Sequence, residues 1–167
     1  AGAVVLSQSD NEEGIKVGYL MTEGDKNDVI RFQGGAASFP ASLETIANNL
    51  HKFEMQGRKV WDFAVRVLPF ATHEVLKKAN KEIKDLDFII FHQANINIIR
   101  HGLKTLGLSE DKTHTTIKKY GNTSGASIVI TLADAYEKKL LKKGDLIGLV
   151  GFGGGLSYGA TLLKWVK

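Results

Sequence analysis

Two periodicities alternate along this chain, and their alternation is the first structural statement the sequence makes. From about Val60 to Asn80, Phe63, Ala64, Val67, Leu68, Ala71, Val75 and Leu76 fall three and four apart, as on the buried stripe of a helix. Pro69 sits inside that stripe and is expected to kink or restart the helix. Residues 87–91 then form a short apolar run of strand character, and residues 95–106 return to helical spacing through Ile96, Ile99, Leu103 and Leu106. A further helix is expected from about Ser124 to Leu141, with Ile128, Leu132, Tyr136 and Leu140 on one face and Lys142-Lys143-Gly144 as its stop. Asp145–Phe152 and Leu156–Val166 are apolar strands joined by Gly153-Gly154-Gly155, most simply an antiparallel hairpin.

The pattern is weaker toward the start. Residues 3–7 and 15–21 read as short strands separated by the polar turn Ser9–Gly14. Gly24–Pro40 reads as a long irregular segment, of the kind that usually serves an interface. Ser42 is placed to cap a short helix through His51, with Leu43, Ile46, Ala47 and Leu50 as its apolar face. Phe53–Gly57 is a brief extended piece, and Ile117–Tyr120 a short strand or extended lead. Strands alternating with helices and then a terminal hairpin predict an α/β fold with a mixed sheet and helices packed on it.

Composition narrows the class. At 167 residues, with 43% hydrophobic and 24% charged residues, the chain is long enough for a real core and too apolar for disorder. No apolar run reaches the roughly 18–20 residues that span a bilayer. The start at Ala1 lacks both an initiator Met and the basic flank of a signal peptide, and reads like a strand entered part-way. A net charge of +4, without a basic block, does not imply a nucleic-acid surface but leaves room for an acidic partner. With no cysteine, disulfides, cysteine-ligated metal sites and a cysteine nucleophile are excluded within this chain.

Three polar clusters interrupt the apolar pattern where chemistry can occur. His92-Gln93-Ala94-Asn95 stands where a buried strand gives way to a helix, so His92 is either a helix cap or a donor or general base in a ligand site. Asn122, in Tyr120-Gly121-Asn122-Thr123-Ser124, is likewise a cap or a fixed amide donor, and the same string fits a glycosylation acceptor in a secreted protein. Gly151-Phe152-Gly153-Gly154-Gly155 permits a tight turn and close approach of a ligand to backbone N–H groups, and it is not a Walker motif.

Taken in this order, the three clusters resemble the C-terminal half of the β-ketoacyl-acyl carrier protein synthase III family, in the thiolase-like superfamily. The matching strings are His92-Gln93-Ala94-Asn95, Tyr120 through Ile128 and Gly151 through Ala160, with Gly57 through Val65, Gly34-Gly35 and Pro40-Ala41-Ser42 in support. The resemblance runs over nearly the whole chain. It implies that residues 1–40 are the end of the N-terminal half with a connecting and interface segment, and that residues 41–167 are the C-terminal domain of a thiolase-like fold.

That family performs a decarboxylative Claisen condensation of acyl-CoA with malonyl-acyl carrier protein, which initiates fatty acid biosynthesis. The resemblance implies that His92 and Asn122 are the donors that stabilise the enolate, and that the Gly154 N–H belongs to a second oxyanion hole. By the same resemblance Phe152 lies beside the nucleophile, and Arg58, Trp61 and Ala94 line the tunnel for pantetheine and CoA. The nucleophilic cysteine belongs to the family's other half, so this chain alone is expected to be inactive. Asn97 stands where bacterial members commonly carry a carrier-docking arginine, and Arg100 and Lys104 along the same helix face are the candidate substitutes. The resemblance further implies no metal and no cofactor, CoA thioester and carrier protein being substrates. It also implies a cytoplasmic homodimer in the complete enzyme, with no nucleic-acid or membrane partner. Two other readings stay open here: a non-catalytic module that binds CoA or carrier protein or pairs with a subunit, and a related condensing enzyme of secondary metabolism.

Overall fold

The computed structural model describes residues 1–9, 13–26 and 28–166. In chain order its elements are β1 (Gly14–Thr22), β2 (Ile30–Phe32), α1 (Leu43–Ala47), β3 (Phe53–Met55), α2 (Gly57–Lys78), β4 (Phe88–Phe91), α3 (Ile96–Leu106), α4 (Ile117–Tyr120), α5 (Ser127–Glu137), β5 (Leu146–Gly153) and β6 (Ser157–Lys164). Four strands form one sheet in the order β1-β6-β5-β4, and β2 pairs with β3 in a separate two-stranded ribbon. β4 runs parallel to β5, while β5–β6 and β6–β1 are antiparallel, so the sheet is mixed as the pattern predicted.

β4 shows why the apolar run at 88–91 is continuous. Ile89 and Phe91 pack in the core shared with α2 and α3, whereas Phe88 and Ile90 pack in a second core with Leu132 and Ala135 of α5. A strand covered on both faces has no polar side to alternate with. Each of its four side chains is buried, which is worth about 1.5–3 kcal/mol apiece by area removed from water. The strand therefore works as a rigid rail that ends at His92, whose N–H still donates to Val150 O at 2.8 Å.

Several expectations need correction. Residues 3–7 form no strand; they are exposed, Val5 by 97%, and among the described residues no ladder pairs with them, so an apolar run alone does not make a strand. The turn expected over Ser9–Gly14 includes residues 10–12, which lie outside the described residues. The segment 24–40 is not wholly irregular, because Ile30–Phe32 pairs in register with Phe53–Met55. The helix after Ser42 stops at Ala47 rather than His51, although Ser42 does form a capping box with Thr45. Its apolar face is largely uncovered, with Leu43 exposed by 89%.

α2 begins at Gly57 and passes through Pro69 without restarting. The missing N–H of an interior proline costs about 3 kcal/mol. Burial of Ala64, Val67, Leu68, Ala71, Val75 and Leu76 on both sides of it offsets that cost. Ile117–Tyr120 is a helical turn rather than an extended lead, with Gly121 N–H bonded to Ile117 O at 2.8 Å. α5 ends at Glu137, four residues before Leu141. Lys139 adopts φ +57, and the N–H groups of Lys139 and Leu140 close on Tyr136 O and Ala135 O, which is a Schellman stop built without glycine.

Candidate functional site

The site grows from the end of β4. Chain alternation turns His92 toward α5, where its Nδ1 lies 2.6 Å from the hydroxyl of Ser127, the first residue of that helix. Next in the chain, Gln93 is fully buried: its N–H donates to Ser127 Oγ at 3.2 Å and its amide NH2 to Phe91 O at 2.7 Å. Its Oε1 accepts from Thr116 N–H at 3.0 Å. Ala94 is half-buried in the turn, and Asn95 caps α3 by accepting from Asn97 N–H at 2.8 Å. The cap reading considered for His92 thus falls to Asn95 instead.

β5 brings the glycine loop beside this histidine. The ring of Phe152 meets that of His92 edge-on, with centroids 5.4 Å apart, and also meets Phe63 of α2 at 6.2 Å. Beside it, a Cβ at Gly151 would fall 3.0 Å from Ile128 Cδ1, so a side chain there would have to displace the end of Ile128. Gly154 lies at the exposed tip of the β5–β6 hairpin. An open hollow of about 570 Å³ adjoins the loop, lined by Leu20, Met21, Thr22, Phe152, Ser157 and Tyr158.

Electrostatics at His92 are governed by burial, which pushes its pKa below the usual histidine value. The ring is neutral near pH 7 and carries one N–H. Burial also raises the pKa of Tyr158, so its phenol stays protonated.

Asn122 is exposed and lies five positions before Ser127 on the loop entering α5. Its Oδ1 accepts from Ser124 N–H at 2.8 Å, which orients the carboxamide and turns its NH2 away as the group left to donate. The more distant positions separate. Arg58 on the first turn of α2 is 87% exposed and pairs with Asp62 at 3.3 Å. Trp61, one turn on, stands edge-on to His101 of α3 at 6.3 Å. Arg100 is engaged by Glu110 at 3.5 Å beside a smaller pocket of about 180 Å³, while Lys104 is exposed on the same face of α3.

Sequence reasoning missed a polar seam on α5. Ser127, Thr131 and Asp134 recur at helical spacing and are all buried. Thr131 donates to Ser127 O at 2.8 Å and lies 2.6 Å from the Thr116 hydroxyl. Asp134 bonds His114 Nε2 at 2.5 Å and Lys138 Nζ at 2.6 Å, and these donors, Lys138 first, hold its pKa down to about 2. Its signal in the sequence is the run of polar residues at helical spacing, which the longer apolar stripe beside it masks. Among the described residues no group of His, Asp and Glu has the arrangement of a metal site, and no helix is long and apolar enough to cross a membrane.

Comparison with known proteins supplies the context for this geometry. The family described as 3-oxoacyl-[acyl-carrier-protein (ACP)] synthase III C terminal matches residues 76–165. The beta-ketoacyl-[acyl-carrier-protein] synthase III of Caldanaerobacter subterraneus is 42% identical over 167 residues, covering 100% of this chain and 50% of that protein. Its counterpart in Clostridioides difficile is 43% identical over 99% of this chain and 50% of its own length. The crystal structure of 3-oxoacyl-[acyl-carrier-protein] synthase III from Aquifex aeolicus superposes with a TM-score of 0.83 at 32% identity, covering 95% of this chain and 47% of that one. The chain thus spans about half the length of the curated relatives it matches.

Proposed function

Because this chain belongs to the family of 3-oxoacyl-[acyl-carrier-protein] synthase III C-terminal domains, we propose that it supplies the enolate-stabilising half of a condensing enzyme. The reaction is the decarboxylative condensation of acyl-CoA with malonyl-acyl carrier protein that initiates fatty acid biosynthesis. The observation that carries this reading is His92 held neutral at the end of a fully buried strand, clamped by Ser127 and the edge of Phe152, with the Asn122 amide on the loop leading into the same helix. Loss of carbon dioxide from a malonyl thioester leaves negative charge on the thioester oxygen. Two neutral N–H donors held in place before the reaction stabilise that charge without reorganising, and removing one such donor typically costs about 3–4 kcal/mol. A neutral histidine is suited to this work, since an imidazolium would exchange its second proton with the enolate, and an amide never titrates.

The chain contains no cysteine, so the acyl group must be brought by a thiolate on the half that the relatives carry in addition. Gly154 is assigned to the second oxyanion hole, Phe152 to the wall beside that thiolate, and Ala94, Trp61 and Arg58 to the pantetheine and CoA tunnel. Lys104 is the better candidate for receiving an acidic carrier protein, because Arg100 is already engaged by Glu110. We assign the complete protein to the cytoplasm as a homodimer. The test uses the complete protein with its cysteine-bearing half. His92→Ala and Asn122→Ala are expected to lower malonyl-acyl carrier protein decarboxylation by about 10²–10³-fold while acyl transfer onto the cysteine proceeds. Condensation at the unmodified rate in either variant refutes the assignment.

A further inference from the structure

We infer that Ser127 is a positioning residue that sets the tautomer of His92, donating its hydroxyl proton to Nδ1 so that Nε2 carries the N–H. The geometry comes from the hydrogen bonds alone, while its consequence for catalysis rests on the reading of His92 given above. The assignment follows from counting protons around a buried circuit. Ser127 is 1% exposed and Gln93 fully buried, so neither can satisfy its polar atoms from bulk water.

Ser127 Oγ has one proton to give and two lone pairs. One lone pair receives Gln93 N–H at 3.2 Å. The proton must then find an acceptor, and a serine on the first turn of a helix commonly uses a carbonyl three or four residues back. No such bond forms among the described residues; the acceptor within reach is His92 Nδ1 at 2.6 Å. The opposite arrangement, Nδ1–H donating to Oγ, would give that oxygen two incoming protons and strand its own in the interior.

Every neighbouring bond is already directed. Thr131 gives its hydroxyl proton to Ser127 O, so Thr116 must give its own to Thr131 Oγ1. Thr116 N–H occupies Gln93 Oε1, which turns the Gln93 NH2 onto Phe91 O. The circuit therefore has no slack through which Ser127 could turn its proton elsewhere, and it ties the hydroxyl to β4, to the segment before α4 and to α5 together. Burial keeps the ring neutral, so it carries a single N–H, and with Nδ1 serving as acceptor that N–H lies on Nε2. Nε2 has no partner among the described residues, which leaves it to donate to a substrate oxygen.

The test is long-range ¹H–¹⁵N correlation spectroscopy on the complete protein with its cysteine-bearing half, labelled with ¹⁵N at histidine, with His92 assigned by loss of its signals in His92→Asn. The expected result is a bare Nδ1 and a protonated Nε2 at neutral pH. Ser127→Ala is expected to release His92 into a mixture of tautomers, and Ser127→Thr, which keeps a hydroxyl, to restore one. A protonated Nδ1 in the unmodified chain overturns the inference, as does an unchanged single tautomer in Ser127→Ala. Should Ser127→Ala fail to fold, the tautomer of the unmodified chain decides alone. In the complete enzyme Ser127→Ala is expected to slow decarboxylation by about 10–100-fold, the scale on which losing a partner that orients a functional histidine acts. The two readings fail separately. A protonated Nδ1 sinks the tautomer assignment whatever the activity, whereas the expected tautomer with full decarboxylation in His92→Ala sinks the functional reading and leaves the assignment standing.

Discussion

Asp134 offers a quantitative check on the seam that supports the site. Its carboxylate is buried on α5 and takes hydrogen bonds from Lys138 and His114, with Lys119 at 3.6 Å. Those donors lower its pKa from 3.8 to about 2. At 1.36 kcal/mol per pKa unit, that depression corresponds to about 2 kcal/mol favouring the folded chain. Lys138, the strongest of these donors, is half-exposed, so solvent screening makes this figure an upper value. The sign is that of a depressed carboxylate: the stabilisation is complete above pH 3.8 and is lost as pH falls toward and through about 2. Urea denaturation of the unmodified chain and of Asp134→Asn, compared at each pH, reads Asp134 with its partners, because the titrations of groups not in contact with it cancel in the difference. The expected difference is about 2 kcal/mol, or about 4–8 °C in Tm, from pH 8 down to pH 4, collapsing below that. A difference under about 0.5 kcal/mol at pH 7, or one that stays constant down to pH 2, refutes the reasoning.

Two further outcomes follow from the packing. At Gly159 a Cβ would lie 2.8 Å from Tyr19 O and 2.5 Å from Leu20 Cδ2, so Gly159→Ala must push β1 off β6; a loss of about 1–3 kcal/mol is expected by denaturant titration, and a neutral result refutes the fit. Light scattering of the isolated chain is expected to report association, since Leu20 (83%) on β1, Phe32 (62%) on β2 and Leu43 (89%) on α1 all stand exposed, and a stable monomer at high concentration contradicts it.

Much of this protein was legible in one dimension because burial writes itself into periodicity. The stripe of α2, the doubly covered run of β4, the α3 pattern and the β5–β6 hairpin all appear where the apolar residues predicted them. The chemistry-bearing strings were legible for a different reason: His92, Asn122 and the glycine loop break the apolar pattern at element ends, where a packed scaffold presents polar groups. The failures share one cause. Residues 3–7 have the composition of a strand but no partner strand, Pro69 sits in a helix that its neighbours' burial holds together, and the stop of α5 came from Lys139 in a left-handed turn rather than from Gly144. Local propensity cannot report what a neighbour in space will do.

The chain's own pattern was sufficient to determine its α/β class, its main helices and the ends of the elements from which the polar groups project. Tertiary structure alone decided which of those groups meet. Ser127 is 35 positions from His92, and no spacing rule links them. They come together because β4 lies beneath α5, and the small polar face of that helix, Ser127, Thr131 and Asp134, is turned inward while the stripe through Ile128 and Leu132 packs against the sheet. A hydrogen bond needs two partners at about 3 Å, and only the folded chain sets that distance.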